Sequence, residues 1–137
     1  MADREHQEQK AVFQWAAAAA VWNPELLWLH AIPNGGHRNI VTARKMKLEG
    51  VRKGVPDIFL DVPKGLYHGL RIEMKAPRLP GESEPRQSEE QTDWQIHYLS
   101  QGYRYEVCWG AKDAIKAIEN YLSLPDPAFK RANGQTE

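Results

Sequence analysis

Cysteine is almost missing from this sequence. Cys108 is the only one, which excludes an internal disulfide and a cysteine-based zinc site and suits a reducing compartment. Neither sign of charge is in excess, since 18 Lys and Arg stand against 18 Asp and Glu. No global field therefore draws in a polyanion, and any nucleic-acid contact has to come from local patches. No run is long and apolar enough to span a membrane. The opening stretch, MADREHQEQK, is charged and lacks the apolar segment of a signal peptide. No internal repeat is visible. What these gaps leave is a cytoplasmic enzyme or binding domain. Its 137 residues, 42% hydrophobic and 26% charged, suit one domain with a genuine core.

What is present is an alternation of helical and strand patterns. Residues 3–20 predict a helix with Asp3 as N-cap and Val12, Phe13 and Ala16 on one side, stopped by Asn23-Pro24. LLWLHAI (26–32) reads as a buried strand, PNGG (33–36) as a turn, and TARKMKLEG (42–50) as a short helix closed by Gly50 with its basic residues outward. GVPDIFLDV (54–62) becomes a strand, and LRIEMKA (70–76) is the next, so the two are expected as an antiparallel hairpin. PRLPGESEPRQS (77–88) is a long exposed loop. EEQTDWQIHYLSQG (89–102) reads as an amphipathic helix, with Trp94, Tyr98 and either Ile96 or Leu99 inward. YRYEVCW (103–109) is a strand, and AKDAIKAIENYL (111–122) a helix with Ala114, Ile115, Ile118 and Tyr121 or Leu122 inward. His30 and most of the tryptophans read as core. The order α–β–α–β–β–α–β–α predicts one α/β domain over 1–123, a mixed sheet flanked by helices, followed by a flexible tail over 124–137.

Within RIEMK (71–75), Ile72, Glu73, Met74 and Lys75 alternate apolar and charged, which places Glu73 and Lys75 on one strand face. A solvated outer face explains that pair, and so does a catalytic centre. Asp57 opens the partner strand, where a hairpin can set it opposite or diagonal to Glu73. Two converging carboxylates and a backbone carbonyl make a hard-oxygen site that suits Mg²⁺ or Mn²⁺ better than Zn²⁺. Lys75 could position a water or balance charge on a phosphate. Residues 37–53 hold Arg38, Arg44, Lys45, Lys47, Arg52 and Lys53 against one acid, Glu49, immediately before Asp57. A phosphate backbone could run over this block into the site, although a solvated helix face has the same composition. Asn34, Gly35, Gly36, His37 and Arg38 add backbone N–H groups and charge that could meet a phosphate.

GVPD (54–57) and IEMK (72–75) together look like the PD-(D/E)xK nuclease signature. More narrowly, the chain resembles the VRR-NUC family, in particular its small stand-alone members from phages and bacteria. EHQEQ (5–9), IPNGGHR (32–38), GVPDIFL (54–60), HGLRIEMK (68–75), the glutamine of EEQTDW (89–94) and GYRYEV (102–107) all fall in the family's order. The resemblance implies a restriction-endonuclease-like core. It makes Asp57, Glu73 and the Met74 carbonyl the metal ligands, Lys75 the catalytic lysine and Gln91 a supporting residue. An acid on the first helix completes the set; Glu8 is favoured, with Glu5 as the alternative. The family's valine-arginine-arginine stretch is Val51-Arg52-Lys53 here. Small members of this type look like homodimers that resolve four-way junctions. The expectation is therefore a magnesium-dependent endonuclease acting on branched DNA, most specifically a Holliday-junction resolvase. A flap, nick or single-strand nuclease is the alternative, as is a non-catalytic DNA-binding protein of the same fold.

Overall fold

The computed structural model describes residues 2–33 and 40–132. Helix α1 spans Ala2–Ala19. Its alanine-rich second half has the highest helix propensity and allows close packing. Val12, Ala16 and Ala19, spaced one turn apart, are buried. Asp3 lies inside the first turn of α1, so the expected N-cap is not one.

The segment expected as a strand over 26–32 divides in two. Pro24 starts a 3-10 turn, Pro24–Trp28, because a proline's fixed φ and missing N–H suit the first helical position. Only Leu29–Ala31 is extended, as β1. Leu27 and Trp28 point outward, 69% and 65% exposed, and Trp22 is 79% exposed. Trp15 packs half-buried against the core, but none of the five tryptophans is fully buried, and Trp22, Trp28 and His30 are exposed, against the expectation of core positions.

Helix α2, Ile40–Leu48, buries no residue at all. Strands β2 (Ile58–Leu60) and β3 (Leu70–Lys75) form the expected antiparallel hairpin. Strand β4, Arg104–Trp109, returns through helix α3, Glu89–Ser100, and lies parallel to β3. Together with β1, antiparallel to β2, the sheet order is β1-β2-β3-β4. This is the mixed sheet flanked by helices that the sequence predicts.

Leu70, Ile72 and Met74 of β3, with Ile58 and Leu60 of β2, belong to a core shared with α1 and with helix α4, Ala111–Leu122. From α4, Ala114, Ile118 and Tyr121 are buried, and the Tyr121 hydroxyl donates to the Val62 carbonyl at 2.6 Å. Helix α3 covers the other face, where Tyr98 lies against the Arg71 guanidinium. Ile96 and Leu99 of α3 are exposed, 62% and 54%, so Trp94 and Tyr98 are the large apolar residues on its inner side. All six residues of β3 are buried. Its charged residues are thus not on a solvated face.

Residues 124–132, expected as part of a flexible tail, are tied to the domain. Pro125 accepts from the Gly65 N–H, and Asp126 pairs with the buried Lys64 at 2.7 Å. A short helix α5 follows, Ala128–Ala132. Among the described residues no helix is long and apolar enough to cross a membrane.

Candidate active site

Register brings the two carboxylates together. Ile58 pairs with Ile72 in the antiparallel ladder, so the preceding Asp57 stands opposite Glu73. Pro56 is buried, and the Asp57 carbonyl accepts from the Ile32 N–H at 2.9 Å. The Asp57 side chain crosses to β3, where the Met74 N–H donates to Oδ2 at 2.7 Å. Glu73 is only 3% exposed, and its Oε1 is buried without a hydrogen-bond partner. Burial, then the neighbouring Asp57 carboxyl, push the Glu73 pKa up to about 9. Asp57 is also raised, by burial first, with the Met74 N–H opposing. Near neutral pH the metal-free pair therefore retains a proton that two exposed carboxyls would have lost.

Lys75 is 8% exposed and shares this face. Gln91 of α3 stands between it and Glu73. Gln91 Nε2 donates to Glu73 Oε2 at 3.0 Å, and Gln91 Oε1 accepts from Lys75 Nζ at 3.2 Å. The same Oε1 accepts from the Ser88 N–H at 2.9 Å, closing a capping box with the Ser88 hydroxyl. One glutamine thus starts its helix and holds an acid and a base apart. Two contributors were not singled out by sequence reasoning. Ser88 was legible as the first residue of an S-x-x-Q cap. Gly54 was not: its φ is +81°, and a Cβ there would lie 2.6 Å from the Glu90 backbone. The loop carrying Val51-Arg52-Lys53 is seated directly on the start of α3, and Trp94 Nε1 donates to the Lys53 carbonyl at 3.0 Å.

The family model of the VRR-NUC domain matches residues 3–112. The chain belongs to the VRR-NUC domain family. A solved structure of a VRR-NUC domain protein is similar over 89% of this chain and 90% of that one, at 29% identity and a TM-score of 0.71. Comparison with the curated proteins gives no match. The VRR-NUC domain is a nuclease-type, DNA-processing fold, and DNA is the partner it implies.

In this VRR-NUC domain the two helix-α1 acids part company. Glu8, the favoured candidate, accepts from the Ala111 N–H at 2.7 Å. It caps α4, whose own cap, Gly110, has no side chain to offer. Glu5 is the acid that senses the site. It is exposed by area, yet partial loss of water at its carboxyl raises its pKa, while Lys75 pulls it down and Asp57 pushes it up. Arg4 anchors this end of α1 by pairing with Glu82 at 2.9 Å. Arg44, Lys45, Arg52 and Lys53 are exposed. Asn34, Gly35, Gly36, His37 and Arg38 lie outside the described residues.

The donor set fits a hard divalent cation. Among the described residues no three His, Cys, Asp or Glu side chains form a closed metal cage, so the protein offers two opposed carboxylates. Glu73 Oε1 has no donor from another residue's N–H, and the two carboxyls share a proton that a divalent cation could replace. Oxygen donors alone suit Mg²⁺ or Mn²⁺, which tolerate few protein ligands.

Proposed function

We propose that this VRR-NUC domain is a magnesium-dependent, structure-selective DNA endonuclease that acts as a homodimer on four-way junctions. The observation that carries the reading is the opposed Asp57–Glu73 pair with its orphaned oxygen, beside a lysine held by Gln91. Asp57, Glu73 and the Met74 carbonyl would hold the cation, with Glu5 as the further acid. When bound, the cation supplies polarisation of the phosphodiester and a water acidic enough to attack. The chain's own groups do the rest. Gln91 keeps the Lys75 ammonium from collapsing onto Glu73, so its remaining N–H donors can orient the water and meet charge growing on the phosphate. Arg44, Lys45, Arg52 and Lys53 draw in the phosphate backbone, which gives affinity and register without base sequence. A two-fold dimer matches a two-fold junction.

The test is cleavage with Mg²⁺ on a panel of four-way junction, flap, nicked and plain duplex DNA, with Glu73→Ala alongside. Paired symmetric cuts in the junction, lost in the variant, are expected. Cutting of flaps or single strands alone would replace the junction as substrate. Tight junction binding with no metal-dependent cutting anywhere would make the chain a DNA-binding protein.

A further inference from the structure

Trp94 sits on α3 one turn beyond Gln91, about 5–6 Å away between Cβ atoms. Its ring is held from two sides. It stacks on Tyr98 with 5.7 Å between centroids and 28° between planes, and its N–H is bonded to the Lys53 carbonyl. His97 meets it edge-on at 6.0 Å and 88°. Asp93, Trp94 and His97 line an open cleft of about 280 Å³. The cleft is mostly apolar, and the bond from Trp94 to the Lys53 carbonyl holds the loop that carries the exposed Arg52 and Lys53 against this ring. Asp93 adds an acceptor while repelling phosphate. An indole immobilised in this way gives up little conformational freedom on binding, and a flat π-ligand is what such a surface takes.

We propose that Trp94 and His97 form a stacking shelf for one unpaired nucleobase, with Asp93 accepting from its exocyclic amine and Arg52 or Lys53 meeting its phosphate. The assignment rests on the reading of this domain as a DNA nuclease and adds what selects the substrate. A base stacked inside a duplex has both faces covered, so the shelf recognises DNA at a branch point or a single-stranded stretch, where a base can leave the stack. Gln91 and the Gly54 contact join the shelf, the basic loop and the acid–lysine cluster into one unit. A base seated on Trp94 would therefore set which phosphate reaches Glu73.

The experiment uses the whole chain and DNA carrying 2-aminopurine as the unpaired nucleotide at a branch point. Wild-type protein is expected to quench the 2-aminopurine, and Trp94→Leu to lose the quenching. Trp94→Leu should also bind this DNA about tenfold or more weakly, with plain-duplex affinity unchanged, since stacking is worth that much per base. Trp94→Phe, which keeps a ring, should retain most of the preference. His97→Ala, which leaves the Lys53 bond intact, should lose part of it, and this holds the test open if Trp94→Leu unfolds. Normal cutting with no change in any variant would overturn the shelf and leave the nuclease reading standing. Trp94-dependent quenching without cutting of any DNA would uphold the shelf and sink the nuclease reading. No binding of either DNA would sink both.

Discussion

The two ends of β3 bury charge on the same face in opposite ways. At Arg71 the cation is matched in charge, although its Nε is buried without a hydrogen-bond partner. Asp61 accepts from it at 2.8 Å, and the rings of Phe59, Tyr103 and Tyr98 lie 3.8, 4.4 and 4.8 Å from the guanidinium carbon. Two residues on, Asp57 and Glu73 oppose one another, and a carboxylate oxygen is left without a partner. A buried ion is tolerated when paired and stacked. Where like charges are crowded instead, a carboxyl keeps its proton, and such sites are candidates for function. This difference separates the paired cation from the crowded acids more sharply than exposure does, since Arg71, Glu73 and Lys75 are all buried.

The largest effect should come from cutting into the unmatched end. Glu73→Ala is expected to lower cleavage roughly a thousandfold or more, the equivalent of about 4 kcal/mol of barrier. Its melting temperature without metal should not fall. Loss of stability comparable to an Arg71 variant would erase the contrast between the ends. Arg71→Ala should do the opposite. It removes the Asp61 hydrogen bond and leaves three rings without the cation packed between them, and should cost about 1–3 kcal/mol in denaturant unfolding. Cleavage per folded molecule should stay near wild type.

The pH dependence of stability sharpens the same point. With Glu73 raised from an ordinary 4.5 to about 9, the folded chain keeps a proton that the unfolded chain has lost throughout that window. Stability of the metal-free protein should therefore fall as pH rises from about 5 to about 9. Glu73→Gln should remove most of that slope, and Mg²⁺ should flatten it. A slope unchanged in Glu73→Gln would place the titrating group elsewhere.

Gly54→Ala should cost about 1–3 kcal/mol, through strain at positive φ and collision with the start of α3. Its cleavage should fall further than its stability, because Gln91 moves with the helix. The smallest contrast lies between the acids of α1. Glu8→Ala should lose about 1 kcal/mol of stability as a distant helix cap and leave the rate alone. Glu5→Gln should slow cleavage roughly tenfold at unchanged melting temperature. The reverse result would restore Glu8 to the site.

Local pattern was sufficient for much of this. Alternation in IEMK placed Glu73 and Lys75 together, and the hairpin followed from two strand patterns around PKGLYHG. The helix at 111–122 showed its apolar stripe. These signals depend only on the period of the side chains along one element. The errors fell where partners are distant in the chain. LLWLHAI is apolar, but Pro24 and the edge position of β1 leave Leu27 and Trp28 in solvent. Residues 124–132 look like a tail until Lys64, 62 positions away, meets Asp126.

The sequence by itself determined the order of elements, the α/β class and the acid–acid–lysine set, because each is written in residues near one another or in a recognisable motif. Tertiary structure alone decided which charges are matched. Glu5 and Glu8 are equivalent along a helix until α4 docks its uncapped N-terminus on Glu8. Arg71 and Glu73 are equivalent along a strand until the aromatic rings and Asp61 close around one, and Asp57 faces the other. The field at a buried charge is summed over neighbours brought together by folding, and no local pattern encodes that sum.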